Sequence, residues 1–502
     1  MNFSFTYAPG TTLEQMVAFE TAGRLWASHL TDNVTVNIYV EPTNTLPVGV
    51  AGGALMGVQA DQAYQSWRTR LAADRKSTTD QSIHRNLPRN TSSFTAWVNE
   101  ITAEGTTSNK LEQTSSTINV SRANAKALGL TNAQGAALDG YILMNNQLPA
   151  LGLNWSYNLG GAVPANRIDF FSVAVHEIGH VLGFYSGVDA SGWQITPIEG
   201  FFDNDDDDDD DGGSGSGDRD PRTPLRNATG LDMFRFSNED QVDLVIGGSP
   251  FFSINGGTTK RADYSTGTNR NLGGDGFQAS HWKASGGTLG VMEPTIAPGQ
   301  RRGLRPLDRQ ALDAIGWDAG TGQANLTTLQ NQARAAIATR LGVTVAQLQA
   351  NPTLVQGLTG DRTQDVNTMI DQSQVYEWGW SRRGRRSRYW DSIDLPPSSI
   401  TASTASVNRA SAIDPLASSL ESNALSTGWG QARTSSDSLT AGGQNQPPST
   451  PQPSGIQAES RMVVAPSLLR SSPMINASTI LVPSDVLAPN DLIGSEVLQL
   501  AF

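Results

Sequence analysis

Two histidines four residues apart, with a glutamate beside the first, form the pattern in this chain best suited to chemistry: His176-Glu177-Ile178-Gly179-His180. Residues four apart on an α-helix lie one above the other on the same face. Two imidazoles so placed can offer nitrogens to one metal ion, with zinc the usual partner of this spacing. The Glu177 carboxylate then lies near the place of a water on that ion. The bland alternative is a buried amphipathic helix that happens to carry two histidines.

The flanking residues predict the helix this pattern needs. Asp169 is placed to cap its first turn. Phe171, Val175, Ile178 and Leu182 recur at spacings of four, three and four, which predicts one buried stripe. Gly183 follows as a residue that accepts a left-handed turn at little cost.

The chain as a whole narrows the function. Its 502 residues leave room for two or three domains. A net charge of −13 argues against general nucleic-acid binding. No run of about 20 apolar residues predicts a membrane-spanning helix. Met1 to Pro9 shows neither the basic nor the apolar region of a secretory leader. Cysteine is absent, which excludes disulfides, thiolate ligands and a thiol that blocks a metal before activation.

Along the chain, Thr11 to Leu30 reads as a helix with Thr11 and Glu14 as a capping box. Val34 to Val40 alternates as a half-buried strand, Asp61 to Ala73 reads as a polar helix, and Gly140 to Asn146 reads as a further strand. Intermixed helices and strands predict an α+β domain with a mixed sheet packed on helices. Beyond Gly183 comes an acidic insertion, 203–220, with seven consecutive aspartates, Asp205 to Asp211. Seven adjacent carboxylates repel one another, so a solvated spacer is expected. In one register Asp207, Asp209, Asp211, Gly212 and Asp218 match an EF-hand loop, which makes Ca²⁺ a candidate second ion, although no helices flank it. Helices are expected at Leu326 to Leu341 and Thr363 to Tyr376. The basic run Arg382 to Arg388, beside Trp378, Trp380 and Trp390, reads as a solvated or cleavable linker, with contact to nucleic acid or an anionic surface as the other reading. From 396 a Ser-, Thr- and Pro-rich composition predicts a mostly disordered tail.

A catalytic zinc usually takes three protein ligands. Of the five histidines, three remain. His29 ends the first helix and reads as packing or capping; His84 lies in a polar stretch and reads as surface. His281, in Ala279-Ser280-His281-Trp282, precedes Met292 in Gly290-Val291-Met292-Glu293-Pro294. Asp189 and Glu199 are rival third ligands.

His176-Glu177-x-x-His180-x-x-Gly183-Phe184 resembles the start of the metzincin zinc signature. In most metzincins a His or Asp ligand stands three residues after that glycine; here Ser186 stands there. Leishmanolysin and its relatives, bacterial ones included, place a long insertion before a distant third histidine and then the methionine of the Met-turn. His281 and Met292 are similar to that order, and Leu307 to Trp317 resembles the end of such domains. The lack of cysteine departs from the disulfide-rich eukaryotic members, and no tyrosine closely follows Met292.

The resemblance implies a zincin-like catalytic domain. Residues 1–187 would carry the active-site helix. Residues 188–318 would form an irregular subdomain with the insertion, His281 and Met292. Residues 319–395 would be a helical extension and 396–502 the tail. It implies a zinc metalloendopeptidase, cell-surface or secreted, acting on protein or peptide substrates, with His176, His180 and His281 as ligands, Glu177 as general base and Met292 packed beneath. The strand 140–146 is the expected edge for pairing with substrate. The competing function is a non-catalytic binding protein on the same scaffold.

Overall fold

The computed structural model describes residues 1–47, 49–87, 92–102, 105–191, 227–322, 324–373 and 391–394. The architecture is mixed α+β with several sheets, none closed into a barrel among these residues. No described helix is long and apolar enough to cross a membrane. The Asp-rich register Asp207, Asp209, Asp211 and Asp218, the rival ligand Glu199, the basic run 382–388 and the tail 396–502 lie outside the described residues.

The principal sheet has five strands: β1 (Asn2–Tyr7), β2 (Thr35–Thr43), β3 (Val50–Met56), β4 (Gly140–Asn145) and β5 (Asp391–Asp394), in spatial order β1-β2-β4-β3-β5. β1, β2 and β4 run parallel; β3 is antiparallel to β4, and β5 antiparallel to β3. Parallel β1 and β2 need a crossover, which is the helix α1 (Leu13–His29). Its capping box is Thr12 with Gln15, one residue later than the sequence suggested, because Thr11 instead donates its hydroxyl to Ala8.

Helix α2 (Phe170–Val181) lies under this sheet and against α1. Ile38, Val40, Ile142 and Met144 face it in the main core. On the opposite face Tyr39, Tyr141 and Leu143 pack against Val366 and Met369 of the helix Thr363–Ser373. The sheet is therefore covered on both faces. The alternation of β2 holds, with Thr35 and Asn37 part-exposed, except at Tyr39, which is buried and stacks on Tyr141 with ring centroids 5.6 Å apart. The expectation of β4 as the substrate edge is overturned. It lies between β2 and β3, so its backbone groups are already engaged on both sides.

After α2 a small six-stranded sheet joins the hairpin Phe94–Thr102 and Gly105–Ser115 to four short strands between Arg235 and Asp263. Helix α3 (Pro306–Ala314) closes this part of the chain, and α4 (Leu326–Leu341) returns to pack on α1.

Candidate metal centre

Local chemistry sets the ends of α2. The Asp169 carboxylate accepts the Ser172 N–H and hydroxyl at the first turn, and Arg301 pairs with it from outside. At the other end Gly183 turns away at φ +113°. The helix does not present a single stripe, because all twelve of its residues are buried. Its second face, carrying the histidines and the glutamate, is covered by β3 and by the loop bearing His281.

Three imidazoles converge on that face. One ring nitrogen each from His176, His180 and His281 lies within 4.8 Å of the others, a group that could hold a metal ion. His176 Nε2 stands 2.9 Å from His180 Nε2 and 3.2 Å from His281 Nε2. Each Nδ1 faces a backbone carbonyl: His176 that of Val291 at 2.7 Å, His180 that of Phe184 at 2.7 Å, His281 that of Gln278 at 3.0 Å. A carbonyl can only accept, so each Nδ1 carries the proton, and in the neutral ring the Nε2 lone pair turns inward. Burial, with the repulsion of neighbouring rings, holds His176 and His180 well below the ordinary histidine range. Neutral nitrogens this close repel one another unless a cation lies between them, and neutral imidazole is the protonation state that ligates.

Glu177 is buried beside His176, and its Oε1 would stand 3.0 Å from a Cβ placed on Gly52 of β3. The same Cβ would meet Val173 at 2.8 Å. Gly52 therefore lets β3 lie directly on the face of α2 that carries the carboxylate. Sequence reasoning missed this strand, since Val50-Ala51-Gly52-Gly53-Ala54 lacks both alternation and β-branched enrichment. The paired glycines within an apolar run were the available signal of close backbone approach.

Met292 is fully buried beneath the helix. Its sulfur occupies the space a side chain at Gly179 would need, 2.4 Å from an ideal Cβ there. The fourth residue of the His-Glu-x-x-His run is thus small because the thioether sits against it. Trp26 and Trp317 donate their indole N–H groups to the Val175 and Leu182 carbonyls, bracing the helix at its middle and at its C-terminal end.

Buried carboxylates build the distant part of the site. Asp308, at the third position of α3, accepts the N–H groups of Arg305, Val291 and Met292 and the indole N–H of Trp282, next to His281. Burial nonetheless pushes it up to about 6. Asp189, a rival ligand in the sequence, lies outside the histidine group. It accepts from the Thr268 N–H and hydroxyl and, at 2.6 Å, from the Ala279 N–H just before His281. Asp232 accepts from Ser186, Gly187 and Thr229. Ser186, at the usual third-ligand position of the resembled family, is thereby tied up, and its N–H donates to the Ser280 hydroxyl. His29 and His84 are also outside the group: His29 lies near Arg309, and His84 near Arg75 on an exposed helix. The chain matches no protein-family model, no curated protein and no solved structure.

Proposed function

We propose that this chain is a zinc-dependent endopeptidase of the metzincin type, similar to leishmanolysin, that hydrolyses peptide bonds in proteins outside the cell. The observation that carries the reading is the inward convergence of three Nε2 atoms, with Glu177 beside two of them on one helix. Their 2.9 and 3.2 Å separations come close to the about 3.3 Å edge of a tetrahedron with zinc–nitrogen bonds of about 2.0–2.1 Å. Imidazole donors also suit copper, iron and nickel, so the preference for zinc rests on the spacing with Glu177.

When bound, zinc supplies positive charge that acidifies a water and polarises a peptide carbonyl. The chain's own residues do the rest. The Nδ1–H bonds to Val291, Phe184 and Gln278 fix the tautomers and hold the rings in place. Glu177 accepts the proton of the attacking water and passes it to the leaving amine. β3, with Gly52 against Glu177, is the strand on which an extended peptide would align once its outer side, paired with β5, is free. The order of α2, a long intervening segment, His281 and Met292 supports the leishmanolysin-like assignment.

Glu177→Gln should keep stoichiometric zinc and lose casein hydrolysis. His281→Ala should lose the zinc. Wild-type protein that holds zinc yet cleaves no protein would favour the second reading, a non-catalytic binding protein. One observation favours that reading: His176, Glu177, His180 and His281 are all 0–1% exposed.

A further inference from the structure

That burial has a structural companion. A peptidase centre must admit a polypeptide, and in this chain the route along β3 is taken. β3 bonds on one side to β4. On the other side, Asp391 pairs with Ala54, Ser392 with Gly53 and Ile393 with Gly52, antiparallel. β5 also lies against α2, the helix with the histidines and Glu177. Gly52, the partner of Ile393, is the residue that contacts Glu177. An extended substrate adding to this sheet would use the same backbone groups of β3.

We propose that Asp391–Asp394 occupies the substrate edge of the site, so that the full chain is held latent by its own C-terminal part. The proposal rests on the peptidase reading above. Four residues form a short strand of modest intrinsic affinity. Tethering raises its effective concentration to the mM range, enough to exclude peptides present at lower concentration. The competing explanation is that the strand merely shields an exposed sheet edge. Displacing the strand separates the two: activity is released in one case, and the kinetics do not change in the other.

The test is the full-length double variant Ser392→Pro/Ile393→Pro. Successive N–H groups of a strand point to opposite sides, so the pair removes whichever one donates to β3. A fluorescein-labelled synthetic peptide of residues 389–396 is the binding probe. It should bind the variant at least tenfold more tightly than wild type. The variant should also cleave a quenched peptide with kcat/KM raised at least tenfold, mainly through a lower KM. Equal binding of the probe by both proteins overturns the proposal, as does an unchanged kcat/KM. Hydrogen exchange in unmodified protein gives a second measurement free of folding defects: β3 amides that do not donate to β4 should be protected, and fast exchange there also overturns it. Preferential probe binding to the variant, with zinc bound and no hydrolysis by either protein, would sink the peptidase reading while leaving strand occupancy standing.

Discussion

Helix α2 and the segment 279–292 deliver parts of one site by opposite means. On α2, helical periodicity alone stacks His176 over His180. The segment has no regular structure to do this. Its position depends on buried carboxylates, with Asp308 gathering Val291, Met292 and Trp282, and Asp189 holding Ala279. A ligand recruited from far along the chain needs a dedicated polar scaffold, whereas the local pair is positioned by the backbone itself.

The segment depends on its carboxylates only if their removal is costly. Asp308→Ala would take the acceptor from the buried Val291 and Met292 N–H groups and Trp282 indole, and from the part-buried Arg305 N–H. We expect a loss of about 3–5 kcal/mol in urea unfolding. Stoichiometric zinc should be lost with it, since the Val291 carbonyl also orients His176. A loss below about 1 kcal/mol would mean the segment is held by packing instead.

Asp189→Asn comes next. An amide can keep one acceptor for Thr268, but it turns a donor toward the Ala279 N–H. The His281 loop should loosen, with zinc affinity falling about 10–100-fold in chelator competition. At saturating zinc the stoichiometry should still match wild type, unlike His281→Ala. An Asp189→Asn variant that cannot be filled at any zinc level would restore Asp189 as a ligand.

Legibility in the sequence divides along the same line. The α2 cap at Asp169, the turn at Gly183 and the histidine spacing are local features, so they could be read directly. β2 could be read as a strand from alternation and β4 from its short apolar run, but not their neighbours, because pairing order is non-local. That is why β4 looked like an edge and β3 went unseen. His281 stood out through scarcity of histidine and resemblance, not through any local pattern. The roles of Asp308, Asp189 and Asp232 were invisible, since nothing near them in sequence marks which distant N–H groups they accept.

The two regions meet where Met292 lies against Gly179, and that contact sharpens the comparison. Gly179→Ala inserts a methyl 2.4 Å from the present sulfur position. The thioether is flexible and can shift, so the cost should sit near the low end for overpacking, about 1 kcal/mol in thermal unfolding. Adding Met292→Leu would test the coupling: a double variant less impaired than the sum of the singles would show that the clash is with this side chain.

The smallest effect concerns a third set of carboxylates, crowded around the C-terminal end of α3. Asp74 is pushed up to about 7, first by burial and then by the nearby Asp318, with Asp32 and Asp80 adding to Asp318 and Lys76 opposing them. A carboxyl raised in the folded state binds a proton there that the unfolded chain, near about 3.9, has already lost. Stability should therefore fall as pH rises from about 4 to 7, and stay low above that window. Asp74→Asn cannot ionise, so it should match wild type near pH 4 and melt higher at pH 8, by less than about 1 kcal/mol given partial solvent exposure. A variant no more stable than wild type at pH 8 would show that the Lys76 ion pairs with Asp74 and Asp318 already relieve the repulsion. The cluster would then resemble Asp308 in having its charge compensated, by Lys76 here and by N–H donors there.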